Sequence, residues 1–118
     1  MAAKEPEFLV DGWVTGASGE FTVIGCCGDV PIRINDKFDA IFRYKRRKYP
    51  EEMGDDPIRE DEIAASIRIE DIQAYGRALE MLGQGMTGSI VVSGEGIERI
   101  ASGTVLGMKN GRHDGQGS

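Results

Sequence analysis

The chain has 118 residues, of which 40% are hydrophobic and 17 are glycine, and its formal net charge at pH 7 is −6. This length fits one domain with a core of its own, and the hydrophobic fraction excludes a disordered chain. Glycine at about twice its usual ~7% disfavours long helices. No apolar stretch approaches the ~20 residues that span a bilayer, and residues 1–7 lack a signal-peptide pattern, so we expect a cytoplasmic protein without a membrane segment.

Short strands separated by turn residues are predicted for the first half of the chain. Residues 1–7 are polar, and we expect them to be flexible. The apolar segment from Phe8 to Val14 follows, and Trp13 within it is assigned to the core. Further strands are predicted at 21–24 from β-branched residues, at 30–34 from the alternation of Val30, Ile32 and Ile34, and at 38–44.

The second half combines a long charged loop, a bent strand and short helical turns. Residues 45–62 hold two prolines, one glycine and a dense charge run, which predicts a long loop. Apolar residues then alternate from Ile63 to Ile69, and the alternation slips by one residue at Glu70–Asp71, which indicates a β-bulge. The remaining predictions are a helical turn within 77–82, a strand at 89–93, a helical turn carrying Ile97, Ile100 and Ala101, a short strand at 104–106, and a disordered tail at 109–118.

Together these elements predict an all-β protein, a small closed barrel of six or seven strands with one or two short helical turns. Short strands expose unpaired edges, and closure into a barrel removes those edges. We therefore expect a single β-barrel domain at residues 8–108, interrupted by the charged loop at 45–62.

Residues that could carry out chemistry are sparse. The two cysteines, Cys26 and Cys27, are adjacent, so they point to opposite faces of a strand, and ordinary disulfide geometry disfavours a bridge between them. We expect one thiol in the core and one at the surface, with a thiol switch as the alternative. No CxxC motif exists, and the only histidine, His113, lies in the polar tail, so we expect no metal site, no cofactor and no catalytic residue.

Two segments resemble the second-domain β-barrel of elongation factor Tu and related translational GTPases. The sequence GMTGSIVVSGEGIERIASGTVLG at 85–107 is similar to the family's glycine turn, strand, helical turn and closing strand, through Gly88, Gly94, Ile100, Gly103, Val105 and Leu106. Ser102 stands where the family has an arginine before the last glycine. The sequence TVIGCCGDVPIRINDKFDAIF at 22–42 is similar to the family's hairpin, through Val23, Gly25, Gly28, Ile32, Ile34, Asp36 and Phe38. With the segment at 67–88 between them, the resemblance covers residues 8–108.

The resemblance implies a translation-protein-like barrel without its GTPase domain. The 118 residues contain no GxxxxGKS or GxxxxGKT phosphate loop and no Asn-Lys-x-Asp base-reading motif, so we expect no GTP binding. The family's tRNA-pocket glutamate would fall near Tyr75–Gly76, where no glutamate stands, so binding of charged tRNA is not carried over. Because turn glycines and apolar positions specify a fold and not an activity, we expect a stand-alone binding module without enzymatic activity.

A basic and aromatic stretch is the candidate binding site. It consists of Arg43, Tyr44, Lys45, Arg46, Arg47, Lys48 and Tyr49, which could grip phosphates and stack a base, or contact a partner protein. Acidic residues follow from Glu51 to Glu62, so a solvated loop with compensating charges is the alternative. The overall negative charge opposes non-specific nucleic-acid binding, and we therefore favour an unknown protein partner over RNA or the ribosome. Self-association through strand edges, giving a homo-oligomer, is a further alternative.

Overall fold

Nine strands and one short helix make up the described part of the chain. The computed structural model describes residues 5–44 and 59–109. The strands are β1 (Phe8–Thr15), β2 (Phe21–Cys27), β3 (Ile32–Arg33), β4 (Lys37–Tyr44), β5 (Arg59–Ala74), β6 (Arg77–Leu79), β7 (Met81–Leu82), β8 (Thr87–Glu95) and β9 (Val105–Gly107). A 3-10 helix at Ile97–Arg99 separates β8 from β9 and confirms the helical turn predicted there. Within the described residues no helix is long and apolar enough to cross a membrane.

Six of the strands close into a barrel. Their hydrogen-bonded order is β4-β9-β1-β2-β8-β5, and β5 pairs back onto β4 to complete the circle. The strand β6 lies outside the circle on β5, and β3 pairs with β7 in a separate two-stranded sheet. This arrangement confirms the predicted all-β fold, a small closed barrel with almost no helix.

The barrel interior is filled by alternate residues of the longer strands. Along β2, the buried positions 23, 25 and 27 alternate with the more exposed positions 22, 24 and 26, as the two-residue period of a strand requires. The core side chains with no exposed surface include Phe8, Val23, Phe38, Ile67, Ile90 and Leu106. A Cβ atom at Gly25 would lie 2.9 Å from the ring of Phe8, so the absence of a side chain at Gly25 makes room for that ring.

Register shifts in three strand pairs, β1–β2, β5–β8 and β4–β5, bend the strands around the barrel. The register of β1 against β2 shifts between Val10 and Gly12, and the register of β5 against β8 shifts between Ile69 and Asp71. The second shift lies at the predicted slip of the alternation and confirms it. The strand β5 is 16 residues long, and its bend lets it pair with β4 at its beginning, with β8 in its middle and with β6 at its end.

The structure corrects several boundaries predicted from the sequence. Residues 77–82 form β6 and β7 instead of a helical turn, because they pair with β5 and β3. Residues 59–62, predicted as the last part of the charged loop at 45–62, belong to β5 instead, and Arg59 and Glu60 pair with β4. The strand predicted at 30–34 is shortened to Ile32–Arg33, the two residues that pair with β7, while the Ile34 N–H donates to the Glu80 carbonyl oxygen at 3.2 Å.

Trp13 is not a core residue, which is a further correction. It is 46% exposed and stacks on Phe21 with 5.0 Å between the ring centroids. It lies opposite Val23, and β1 ends two residues later at Thr15, so little of the barrel extends past the indole to cover it.

Both ends of the described chain are tied to the barrel. Glu7, predicted within a flexible N-terminus, accepts the Gly28 N–H on its backbone carbonyl at 2.9 Å. Lys109, predicted at the start of the tail, donates its backbone N–H to Asp39 Oδ1 at 2.5 Å. The predictions for residues 1–4, 45–58 and 110–118 fall outside the described residues.

Candidate functional site

The predicted basic and aromatic stretch is described only at its first two residues. Arg43 and Tyr44 are the last residues of β4 and both are half-buried. Lys45, Arg46, Arg47, Lys48 and Tyr49 lie outside the described residues. The structure therefore places the start of the stretch on the barrel wall, and the arrangement of the other five residues stays a prediction.

Arg43 and Tyr44 are engaged within the chain. The Arg43 Nη1 donates to the Ser102 carbonyl oxygen at 3.3 Å, and the Tyr44 hydroxyl donates to the Glu7 carboxylate. The Tyr44 ring also packs edge to face on Phe42, with 5.3 Å between centroids. Burial, followed by the contact with the Glu7 carboxylate, raises the pKa of the Tyr44 hydroxyl. Both groups contribute to the fold through these contacts.

Phe42 is the centre of a small cluster on the outside of the barrel. It is only 1% exposed, although its neighbour Ile41 belongs to the main core. The Arg59 guanidinium carbon lies 3.8 Å from the Phe42 ring centroid, which is a cation–π arrangement. Arg59 also contacts the carboxylates of Glu7 at 3.8 Å and Glu62 at 3.6 Å. The cluster thus joins β4, β5 and the N-terminal segment. Sequence reasoning placed Arg59 in a loop and did not find it.

A surface with three exposed aliphatic side chains on the outer side of β1 and β2 is the second candidate site. Leu9, Val14 and Ile24 are 42%, 52% and 40% exposed, and we call these three residues the apolar face. Leu9 is opposite Cys26, and Val14 is opposite Thr22, so all three apolar side chains share the outer side with these β2 positions. The sheet continues this surface onto β8, where Val91 lies opposite Thr22.

The surroundings of the apolar face differ from the rest of the barrel wall. Gly12 lies opposite Ile24, and a Cβ atom there would meet nothing within 4 Å, so the centre of the face is open. On the outer side of β5, by contrast, Arg68 pairs with Glu70 at 3.4 Å, and Glu70 accepts the Ser93 hydroxyl at 2.5 Å. The apolar face was not found from the sequence, because residues 8–14 were treated as one apolar segment and were not divided between the two sides of the strand.

The two cysteines lie in different environments. Cys27 is 2% exposed and its thiol lies 3.2 Å from the Val30 carbonyl oxygen, while burial raises its pKa. Cys26 is partly exposed, and its thiol lies 3.4 Å from the Gly85 carbonyl oxygen. This confirms one buried thiol and one nearer the surface. Among the described residues no group of three or more His, Cys, Asp or Glu side chains could hold a metal ion.

Comparison with known proteins adds a structural similarity to this geometry. No protein-family model and no curated protein matches the sequence. The structure is similar to translation elongation factor SelB from Methanococcus maripaludis, both in its apo form and in complex with the GTP analogue GppNHp, with a TM-score of 0.62 and 13% identity in each case. The similarity covers 92% of this chain and 20% of the SelB chain, so this chain spans about a fifth of that protein. The chain therefore has the fold of a translation-factor β-barrel.

Proposed function

We propose that this barrel is a binding module whose partner is a protein, and that the partner docks on the apolar face. The observation that carries the proposal is the exposure of three large aliphatic side chains, Leu9, Val14 and Ile24, on the outer side of two paired strands. Covering such a surface removes apolar area from water, which is the main favourable term in most protein–protein association.

The fold similarity supports the translation-factor-like character of the module. Barrels of this kind offer a rigid wall of paired strands, on which exposed side chains keep fixed positions. The proposed role involves no catalytic step, no cofactor and no GTP, and it places the module in the cytoplasm. Its specific partner is to be identified by the experiment below.

An RNA partner is the alternative function. It would use the basic residues from Lys45 to Lys48, together with Tyr49. The described start of the stretch favours it less, because the Tyr44 hydroxyl is bonded to Glu7 and its ring packs on Phe42. About four phosphate contacts would give a log–log salt slope near −3 to −4, whereas a partner on the apolar face requires little salt dependence.

The test is affinity capture from a cell lysate with three matched forms of the protein. The first is the wild type, and the second is Leu9→Glu/Ile24→Lys, which makes the apolar face polar without changing the net charge. The third is Arg68→Gln/Glu70→Gln, an equally charge-neutral change on the outer side of β5. Circular dichroism verifies that all three fold alike.

We expect a protein that the wild type and the β5 variant retain and that the apolar-face variant loses, with or without ribonuclease. Equal retention by all three forms would refute docking on the apolar face. Loss of the captured material after ribonuclease treatment would instead support the RNA alternative.

A further inference from the structure

The strand β5 extends beyond the strand that covers it on one side. Its pairing with β8 begins at Ser66, which lies opposite Glu95, while its pairing with β4 begins seven residues earlier at Arg59. Among the described strands, none pairs with Ile63, Ala64 or Ala65 on the β8 side. Asp61 has a left-handed backbone, with a φ of 57°, so the regular part of this open edge starts after it.

The backbone of Ala64 faces the open side. The Ser66 carbonyl oxygen abuts Gly94 of β8, so residue 66 points its peptide groups towards β8. The pairing of β5 with β4 shifts register between Ile67 and Ala64, so the alternation from Ser66 does not by itself fix the direction at Ala64. A Cβ atom at Gly96, which follows β8, would lie 3.9 Å from the Ala64 carbonyl oxygen, and this places the carbonyl on the β8 side. The Ala64 N–H and C=O therefore point along the edge that a further strand would pair with.

A groove of about 370 Å³ lies along this edge. Its walls are the β5 residues from Ile63 to Ser66 and the turn formed by Glu95, Gly96, Glu98 and Arg99, and we call it the edge groove. Ile63 and Ala65 are half-buried and pack on the main core, so they provide an apolar floor. Gly96 lies against Ala65, since a Cβ atom at Gly96 would stand 2.9 Å from the Ala65 Cβ. The turn therefore covers β5 at Ala65, and the edge groove is open beside Ile63 and Ala64.

The charges around the edge groove select the kind of chain that could pair there. Glu95 and Glu98 line it beside the single guanidinium of Arg99, and the exposed Glu60 and Asp61 precede it on β5. Two copies of this chain that paired through this same edge would bring Glu60 and Asp61 of one copy against the carboxylates of the other, and like charges on a strand edge oppose such pairing. An extended segment with lysine or arginine side chains is instead attracted by these carboxylates.

We propose that the edge groove binds an extended, basic peptide segment of another protein, which adds to β5 as a short strand beside Ile63 and Ala64. Backbone hydrogen bonds to the open edge supply the binding, and the carboxylates of Glu95 and Glu98 select basic side chains. This site uses none of the residues of the apolar face. Either proposal can therefore fail while the other holds.

The test is a titration of the ¹⁵N-labelled protein, followed by amide chemical shifts. The probe is a capped seven-residue peptide of alternating lysine and valine, and the control is the same peptide with glutamate in place of lysine. We expect saturable shifts at Ile63, Ala64 and Ala65 and in the turn from Gly96 to Arg99. The glutamate peptide should bind at least about tenfold more weakly, which corresponds to about 1.4 kcal/mol.

Two variants separate backbone pairing from charge. Ala64→Pro removes an N–H donor on the open side, where proline is tolerated in an edge strand, and should lower the affinity for the lysine peptide by about tenfold or more. Glu95→Gln/Glu98→Gln keeps the shape of the edge groove and should weaken binding several-fold while reducing its salt dependence. Glu20→Gln/Glu80→Gln removes two exposed carboxylates that do not line the edge groove, and it should bind as the wild type does.

Three results would overturn the proposal. The first is the absence of shifts at the open edge at millimolar peptide, and the second is equal binding of the lysine and glutamate peptides. The third is concentration-dependent broadening of the same amides without peptide, which would assign the edge to a second copy of the chain. If Ala64→Pro does not fold, the glutamine variant and its control still decide the question.

Discussion

Replacing Gly25 with alanine tests how tightly the barrel is closed around Phe8. Gly25 lies on β2, opposite Val10 of β1 and Gly88 of β8. A Cβ atom there would overlap the Leu9 carbonyl oxygen and lie 2.9 Å from a ring carbon of Phe8. Carbon atoms in contact ordinarily stand ~3.5–4.0 Å apart, so the ring must retreat by about 0.6–1.1 Å.

Moving the ring by this distance costs stability because the ring is fully enclosed by its neighbours. Phe8 has no exposed surface, and close-packed interiors transmit such a displacement to their neighbours. Overpacking typically costs about 1–3 kcal/mol, and the overlap with a strand carbonyl puts this substitution near about 3 kcal/mol. Since about 1 kcal/mol shifts the Tm of a domain of this size by about 4–8 °C, Gly25→Ala should lower the Tm by more than about 10 °C.

Urea unfolding followed by the fluorescence of Trp13, the only tryptophan, measures the effect. The matched control is Gly12→Ala on the neighbouring strand, where a Cβ atom would meet nothing within 4 Å. Its free energy of unfolding should stay within about 1 kcal/mol of the wild type. The reasoning fails if Gly25→Ala stays within about 0.5 kcal/mol of the wild type, or if both variants lose the same stability.

Tyr44, Glu70 and the two cysteines provide three more tests. Because the pKa of Tyr44 is raised in the folded protein, the folded state holds this proton more tightly than the unfolded chain does. The free energy of unfolding should therefore fall as the pH rises above about 10, and Tyr44→Phe should flatten this fall in urea titrations; equal slopes would contradict the assignment. The pKa of Glu70 is lowered, first by the Ser93 hydroxyl, so Ser93→Ala should raise it towards its ordinary value in a carboxyl NMR titration, and an unchanged pKa would show that the bond is absent in solution. Burial and a raised pKa should make Cys27 react with a thiol reagent at least about tenfold more slowly than Cys26, so a fast phase that survives in Cys26→Ser would disprove the burial.

Much of the barrel was predictable from local sequence patterns. The strands at 21–24 and 38–44 and the bend at Glu70–Asp71 were all visible, because alternation reports which side of a strand is buried. The sequence pattern also included Gly25, and the structure explains why glycine stands there, because a side chain would collide with the ring of Phe8. For the candidate site, the sequence pointed to Arg43–Tyr49, of which the first two residues prove to be engaged in contacts of the fold.

The remaining features depend on where distant segments end relative to one another. Local composition could not show that residues 77–82 pair as strands, because their partners in β5 and β3 decide it. Nor could it show that Tyr44 meets Glu7, 37 residues earlier in the chain. The exposure of the apolar face and the open edge of β5 have the same origin. Amino-acid order determines the alternation of each strand, while the relative lengths and registers of neighbouring strands, which exist only in the closed barrel, decide which surfaces stay uncovered.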